Sequence, residues 1–204
     1  MEKWLKWAIE IQSLAQAGLA YTDNVYDIER YNRLREISAE ILAEKTNISQ
    51  EKVYDLFCNE TGYQTPKIDT RAAIFKENKI LLVHESNGTW SLPGGWCDVL
   101  ESIKSNTIKE VKEETGLNVE AVKLISVQDR NKHNKPIYAY GICKTFMLCK
   151  IIDGSFEENI ETTETKYFSL DEIPSNLAEE KTTKEQIEMC FKAYNSEDWK
   201  VECD

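Results

Sequence analysis

The sequence predicts an α/β protein in which a small all-α domain precedes an α/β/α sandwich with helices on both faces of the sheet. Two observations support this fold class. Apolar residues recur with a helical period over residues 1 to about 60, and after about residue 66 the period changes to two, as in strands. Two helical segments then flank the strands along the chain, which favours a layered arrangement.

The N-terminal region is predicted to be helical. Apolar side chains at helical spacing run from Trp4 to Ala15 and from Ile28 to Ile41, on either side of the turn-like AYTDN. A third short helix is expected after Ser49, whose hydroxyl can cap it. The segment CNETGYQTPK collects Gly, Thr, Asn and Pro and is predicted to be a linker. We therefore expect a boundary near Pro66, with domains at 1–66 and 67–204.

Strands predominate after this boundary. DTRAAIF and KILLVHE flank the short KEN and predict a hairpin. Ser102 can cap a helix from about Ile103 to Thr115, which Gly116 would end. LNVEAVKLISVQDR and IYAYGICKTFMLCKII are rich enough in β-branched and aromatic residues to be strands. TKYFSLDEIP predicts a last strand followed by a turn. TTKEQIEMCFKAY predicts a closing amphipathic helix.

The composition excludes several classes of function. The chain has 204 residues, 41% of them hydrophobic, and a formal net charge of −11, which argues against nucleic acid or an anionic membrane as the main partner. Charges interrupt the opening helix and no run is long enough to span a membrane, so a cytoplasmic location is expected. Six cysteines without a C-x-x-C pair are expected to be reduced structural thiols rather than zinc ligands.

One predicted helix carries a concentration of acid. Glu110, Glu113 and Glu114 occupy positions i, i+3 and i+4 and therefore share one face. Like charges at this spacing destabilise a helix by roughly a few tenths of a kcal/mol per pair. A hard divalent cation such as Mg²⁺ would turn the repelling groups into a coordination shell. Glu-rich helices are also commonly just solvated, so the cluster alone leaves both interpretations open.

The spacing around the acids favours the metal site. Gly95, Glu101, Lys109-Glu110-Val111, Glu113-Glu114 and Gly116-Leu117 follow a pattern that resembles the signature box of the Nudix hydrolases. The family pattern has arginine where this chain has Lys109, and the other eight defined positions match. WSLPGG precedes the box and a predicted strand follows it, which is the loop-helix-loop setting that the resemblance implies.

The resemblance implies a fold, a reaction and a metal. The fold would be the Nudix α/β/α sandwich with a mixed sheet. The reaction would be hydrolysis of a nucleoside diphosphate linked to another group X, by attack of water on one phosphorus. By resemblance Glu110, Glu113 and Glu114 would be ligands of Mg²⁺ or Mn²⁺. The carbonyl of Gly95, or that of Gly94, would add a ligand, because glycine lets the backbone approach closely.

The resemblance also implies supporting roles. Glu110, or a glutamate outside the box, would polarise the attacking water, and Glu101 and Lys109 would orient the metal-binding acids. Lysine offers a point donor where arginine offers a rigid fork, so a modestly altered rate is expected. Nudix hydrolases often place an additional glutamate before the final strand as base or distal metal ligand. Glu164 is the candidate here, with a solvated loop acid as the alternative.

Candidate substrate contacts lie outside the box. The basic island QDRNKHNKP contains Arg130 and His133, of which Arg130 is the preferred phosphate contact because guanidinium pairs bidentately with phosphate. A polar hairpin loop explains this island equally well. Trp96 could stack on a base or pack in the core, whereas core packing is the better prediction for Trp90.

The choice of substrate depends on less specific motifs. The N-terminal helical region, GGWCDV and DRNKH resemble a Gram-positive bacterial subfamily that includes CDP-choline pyrophosphatases, which favours cleavage of CDP-choline to CMP and phosphocholine. ADP-ribose, other nucleoside diphosphate sugars and RNA ends are the alternative substrates. A Nudix-like sensor that binds a nucleotide without cleaving it is a rival, as is a purely structural domain. All four box glutamates argue against both rivals.

The N-terminal segment is expected to mediate self-association. It carries 11 acidic against 7 basic residues, a balance that suits helix packing or dimer contact better than DNA binding. We expect a homodimer in which this segment buries apolar surface against a second subunit and borders its active site.

Overall fold

The three predicted N-terminal helices are present in the computed structural model, which describes residues 2–46, 49–57 and 61–204, with 54–57 described as backbone only. They are α1 (Lys3–Tyr21), α2 (Val25–Lys45) and α3 (Gln50–Phe57). The side chain of Asn24 caps α2 by accepting the amides of its first turn. Residues 58–60, at the start of the predicted linker, lie outside the described residues. Among the helices described, none combines the length and the apolar character needed to cross a membrane.

The chain divides into two compact units. One comprises Met1–Pro66 together with Ile137–Gly141, and the other comprises Lys67–Pro136 together with Ile142–Asp204. The prediction that a strand begins at Ile137 is wrong, because that strand begins at Ile142. The five preceding residues pack with the helical unit instead, where Ala139 lies against the apolar core of Ala8, Ala39, Leu42 and Val53.

Seven strands of the described residues form one mixed sheet, as the fold class requires. They are β1 (Lys67–Lys76), β2 (Lys79–Glu85), β3 (Trp90–Ser91), β4 (Leu117–Asp129), β5 (Ile142–Gly154), β6 (Thr162–Phe168) and β7 (Glu202–Cys203). The order is β3-β2-β1-β5-β4-β7, with β6 on the other side of β2. β1 runs parallel to β5 and antiparallel to β2. The predicted β1–β2 hairpin is confirmed, and its turn residues Glu77 and Asn78 both have positive φ, as a tight two-residue hairpin requires.

Two helices cover the two faces of this sheet. On one face α4 (Ile103–Thr115) packs Val111 against Ala72, Ile74 and other strand residues. On the other face α6 (Lys184–Tyr194) packs Ile187 and Phe191 into a second core. The predicted α/β/α sandwich is therefore confirmed. Between α4 and α6 the chain also forms two short elements that the sequence did not predict, α5 (Arg130–His133) and a 3-10 turn at Leu170–Glu172.

The predicted limits of α4 are also confirmed. The Ser102 hydroxyl accepts the amide of Ser105, whose own hydroxyl accepts the amide of Ser102, so the two residues cap the helix reciprocally. Gly116 closes the other end in a left-handed conformation. This fixed frame sets which face of α4 carries the acidic side chains.

Candidate active site

A glycine-containing segment runs beside β1 and faces α4. The amides of Ala72, Thr70 and Cys97 donate to the carbonyls of Pro93, Gly95 and Ile68, at 2.8 to 2.9 Å. Gly94 has a φ of 137°, and a Cβ placed on it would lie 1.9 Å from the Thr70 carbonyl oxygen. Only glycine avoids both the strained backbone and the clash, so this residue allows the loop to lie against the sheet.

A buried amide joins this loop to α4. Asn106 has no exposed surface and donates to the hydroxyl of Thr70 at 2.9 Å and to the carbonyl of Trp96 at 3.1 Å. Its carbonyl oxygen accepts the amide of Asp98 at 3.1 Å. Sequence reasoning missed this residue, because a polar side chain in an amphipathic helix gives no sign of whether it faces water or the interior.

Glu114 reaches from α4 to the same loop. The Gly94 amide donates to its Oε2 at 2.8 Å. Burial raises the pKa of Glu114 to about 7, although the positive charge of Arg71 and the Gly94 hydrogen bond both oppose the rise. A carboxylate withdrawn from water in this way is stabilised in its charged form by an added cation.

Glu110 lies one turn earlier against Gly95. A Cβ at position 95 would lie 2.5 Å from the Glu110 Oε2 atom, so glycine at this position admits the carboxylate. Burial also raises the pKa of Glu110, against the opposing charge of Lys109. The carbonyl of Gly95, which the sequence offered as a metal ligand, already accepts the amide of Thr70 and is turned towards β1.

The ammonium of Lys109 contacts three acidic side chains. Its Nζ lies 2.8 Å from the Asp98 Oδ2 and 3.5 Å from carboxylate oxygens of both Glu110 and Glu113. The hydrogen bond that Lys109 donates to Asp98 and the charges of the other two acids raise the pKa of Lys109 above its ordinary value. These contacts have the geometry that an orienting role needs, and that role remains a prediction. Asp98 is a partner that the sequence pattern did not reveal.

The carboxylate oxygens of α4 are the type of ligand that a hard divalent ion prefers. Glu110 and Glu114 are partly withdrawn from water and repel one another, which is a condition that an ion with oxygen ligands relieves. Within residues 2–46, 49–57 and 61–204, however, no three His, Cys, Asp or Glu side chains are already gathered around one point. Glu114 is directed to the Gly94 amide and Glu113 to Lys109. Sharing an ion would require these carboxylates to turn towards one another.

A buried charged group lies on β1 next to the loop. Arg71 makes a bidentate pair with Asp69, with both N–O distances at 2.8 Å, and donates to the Leu92 carbonyl at 3.2 Å. The Nζ of Lys144 lies 3.6 Å from the Asp69 carboxylate. Burial alone would raise the pKa of Asp69, but the two cations hold it below its ordinary value. Sequence reasoning missed this group because DTRAAIF predicts an ordinary strand and gives no sign that its charged residues are buried.

A second ion pair lies at the end of β2. The Nζ of Lys181 is 2.7 Å from the Glu85 Oε2, and the Ser91 hydroxyl donates to the Glu85 Oε1 at 2.8 Å. Thr182, the residue after Lys181, accepts the amide of Leu92 at 3.1 Å through its hydroxyl. This pair therefore adjoins the segment that carries Gly94.

The structure does not bring Glu164 together with the acids of α4. Glu164 pairs with His84 across β2 and β6, and the His84 ring lies 4.8 Å from that of Trp90 in the core beneath α6. Because side chains alternate along a strand, Glu164 shares this face with Phe168. The neighbouring Tyr167 points to the opposite face and packs against the core under α4. The role of Glu164 as base or distal metal ligand stays a prediction.

The basic island has mainly structural contacts. Arg130 is 1% exposed and donates to the carbonyls of Glu180 and Pro136. This position does not suit the predicted phosphate contact, because the guanidinium is directed to backbone oxygens in the interior. His133 pairs with the side chain of Asp204 through its Nε2.

The remaining predicted residues border the glycine loop. Trp96 is 48% exposed and available for a ring contact, whereas Trp90 packs edge-on against Phe168, as predicted for a core residue. Glu101 is the last residue before the cap of α4, and its amide donates to the Asp98 carbonyl at 2.9 Å.

Comparison with known proteins identifies the family. The model of the NUDIX domain matches residues 65–189. The chain belongs to the Nudix family. A second model, described as a UDP-X-like, N-terminal oligomerisation domain, matches residues 2–57. Nudix hydrolases generally use divalent metal ions, which agrees with the oxygen-rich face of α4.

Several relatives resemble this Nudix protein over most of its length. A Bacillus subtilis protein named "Putative ADP-ribose pyrophosphatase YjhB" is 43% identical over 93% of this chain and 91% of its own. A crystal structure described as an ADP-ribose pyrophosphatase from Streptococcus suis is 50% identical, covers 69% of this chain and all of its own, and has a TM-score of 0.64. A structure described as UDP-X diphosphatase is 32% identical, covers 98% of this chain and 97% of its own, and has a TM-score of 0.64.

Proposed function

We propose that this Nudix protein hydrolyses the diphosphate linkage of a nucleoside diphosphate joined to a second group, with ADP-ribose as the first candidate substrate. One observation carries the proposal: Glu110 and Glu114 of the Nudix box converge on Gly94 and Gly95, in a loop whose glycines admit close contact. The relatives at 43% and 50% identity bear names that refer to ADP-ribose.

Glu110, Glu113 and Glu114 are the proposed holders of Mg²⁺ or Mn²⁺. A bound divalent ion would neutralise charge on the diphosphate and make its phosphorus easier to attack. The Gly94 amide directs Glu114 to the loop, and the ammonium of Lys109 lies 3.5 Å from carboxylate oxygens of both Glu110 and Glu113. A bound ion would draw the three carboxylates from these contacts towards one another.

Glu110 is the proposed acceptor of the proton from the attacking water. It lies between Lys109 and Gly95 and is shielded from bulk water, so a carboxylate oxygen can stay close to a water held in the loop.

CDP-choline, cleaved to CMP and phosphocholine, is the second candidate substrate. The motifs GGWCDV and DRNKH favour it by resemblance to CDP-choline pyrophosphatases. The test is a panel of ADP-ribose, CDP-choline and UDP-sugars with Mg²⁺ or Mn²⁺, with the products identified by mass spectrometry. Hydrolysis of at least one member at the diphosphate supports the proposal. Tight binding of all members without cleavage would favour a sensor.

Self-association through the helical unit is part of the same proposal. The model that matches residues 2–57 is described as an oligomerisation domain. Several large apolar side chains of α1 and α2 are exposed: Trp7, Leu14, Tyr21, Val25 and Tyr26. Exposed apolar side chains grouped on these two helices suit a protein contact, and a second copy of the chain is the proposed partner.

A further inference from the structure

The loop before α6 is held by three buried side chains. Asn134 donates to the Glu179 carbonyl at 2.8 Å, Arg130 to the Glu180 carbonyl at 3.2 and 3.3 Å, and Lys144 to the Lys181 carbonyl. Each of the three donors is 1% exposed. We call Arg130, Asn134 and Lys144 the carbonyl clamp. Burying polar side chains of this kind costs free energy that only good hydrogen bonds offset, so the clamp fixes three successive peptide units.

The clamp directs one side chain outward. The carbonyl of Lys181 is held inside, and its ammonium meets Glu85 at 2.7 Å. The Lys181 side chain is 40% exposed, whereas that of Glu85 is 14% exposed. An ammonium has three N–H donors, so Lys181 can keep its contact with Glu85 and still donate to a ligand from the solvent side.

This ammonium adjoins the proposed catalytic acids. Leu92 donates its amide to Thr182, the neighbour of Lys181, and Gly94 donates its amide to Glu114. Two residues of extended chain span at most about 7 Å, so the two contacts lie at neighbouring points on one strip of backbone.

We propose that Lys181 binds the diphosphate of the substrate, and that the carbonyl clamp is the positioning device that presents it. This inference rests on the proposed function. A chain with a formal net charge of −11 needs local positive charge to hold an anionic substrate. Arg71 is buried in its bidentate pair with Asp69, whereas Lys181 faces the solvent beside the acids. Arg130 thus serves phosphate binding through Lys181 rather than by direct contact.

The test compares Lys181→Met with Lys181→Arg and with Lys184→Met, which removes the same charge from an exposed position three residues along the chain. Binding of the non-cleavable α,β-methylene-ADP with Mg²⁺ is measured by calorimetry, and KM and kcat are measured with ADP-ribose. Lys181→Met should weaken binding and raise KM about tenfold, the effect of losing one charged hydrogen bond, with kcat within about threefold. Lys181→Arg should recover most of the affinity, and Lys184→Met should match the wild type.

The clamp is tested by Asn134→Ala, alone and combined with Lys181→Met, with thermal melting as the check on folding. Asn134→Ala should raise KM, and the double variant should bind no more weakly than Lys181→Met alone. Additive effects would overturn the positioning role of the clamp. Unchanged binding by Lys181→Met would overturn the role of Lys181 while leaving the proposed function intact. Wild-type protein that binds the analogue but cleaves no substrate would instead overturn the proposed function.

Discussion

Glu114 accepts the backbone amide of Gly94 at 2.8 Å, so an acid of the Nudix helix is tied to the glycine loop without any intervening side chain. The bond depends on the loop lying close to β1, since the Gly94 backbone approaches the Thr70 carbonyl within a distance that no Cβ would allow. The position of the acid is therefore set by the backbone of the sheet.

The approach of Gly94 to β1 predicts a large stability loss for Gly94→Ala. A Cβ there would lie 1.9 Å from the Thr70 carbonyl oxygen, and the φ of 137° is strained for alanine. We expect a loss of about 3 kcal/mol or more in the free energy of unfolding, measured with urea. Gly88→Ala is the matched control, because Gly88 also has a positive φ but nothing within 4 Å of its Cβ. Equal losses for the two variants would show that strain alone, without the close approach, explains the effect.

The raised pKa of Glu114 predicts that metal affinity depends on pH. Its pKa of about 7 means that the metal-free protein is partly protonated there at neutral pH, while a metal needs the ionised form. The affinity for Mg²⁺ should therefore rise as pH increases from 6 to 8 and level off above 8. Calorimetry in two buffers of different ionisation enthalpy should detect proton release at pH 6. Glu114→Gln should reduce that release, and a release of unchanged size in this variant would assign it to another group.

From the contacts of Lys109 we predict that this residue is needed for a high kcat rather than for folding. Lys109→Met should lower kcat about tenfold because Glu110 and Glu113 lose their shared restraint, and Asp98→Asn should have a smaller effect in the same direction. Lys109→Arg should stay within about threefold of the wild type, because the charge is kept. The control is Lys104→Met on an exposed position of the same helix. If Lys104→Met lowers kcat as much as Lys109→Met does, the effect is one of overall charge.

The buried position of Arg130 predicts a structural penalty for its removal. Arg130→Met leaves the carbonyls of Glu180 and Pro136 without their donor in the interior, which should cost about 3 kcal/mol of unfolding free energy. Lys132→Met, at an exposed position of the same short helix, should change it by less than about 0.5 kcal/mol. Urea denaturation of both variants makes the comparison. A stable Arg130→Met protein would show that these hydrogen bonds contribute little.

The exposed apolar residues of α1 and α2 predict self-association. Trp7→Glu combined with Tyr26→Glu should shift the protein towards monomer in sedimentation experiments, because both side chains are largely exposed within one subunit. Lys6→Glu, a charge change at a neighbouring exposed position, should leave the assembly state unchanged. A double variant that sediments like the wild type would place the contact elsewhere.

The sequence predicted the elements better than it predicted the interior contacts between them. The limits of α4 were predictable because Ser102 and Gly116 are local signals of a helix start and end. The strand expected from Ile137 begins at Ile142, since apolar composition alone does not say which core a segment joins. Arg130 has the chemistry of a phosphate contact, but it is buried and donates to the carbonyl of Glu180, which is distant in the sequence.

The acids of α4 were found by their spacing, which is a local property of a helix. Lys181 was missed because nothing near it in the sequence signals the clamp, whose three members come from α5, the loop after it and β5. Long-range partners of this kind appear only when strands and loops are placed in three dimensions.

The most direct measurement is the rate of ADP-ribose hydrolysis with Mg²⁺ by the wild-type protein and by Glu114→Gln, with both shown to have the same melting profile. The wild type should release AMP and ribose phosphate, and kcat should fall at least about a hundredfold in the variant, because a proposed metal-holding acid has been neutralised. Wild-type rates in Glu114→Gln, or hydrolysis that persists in excess chelator, would contradict this prediction.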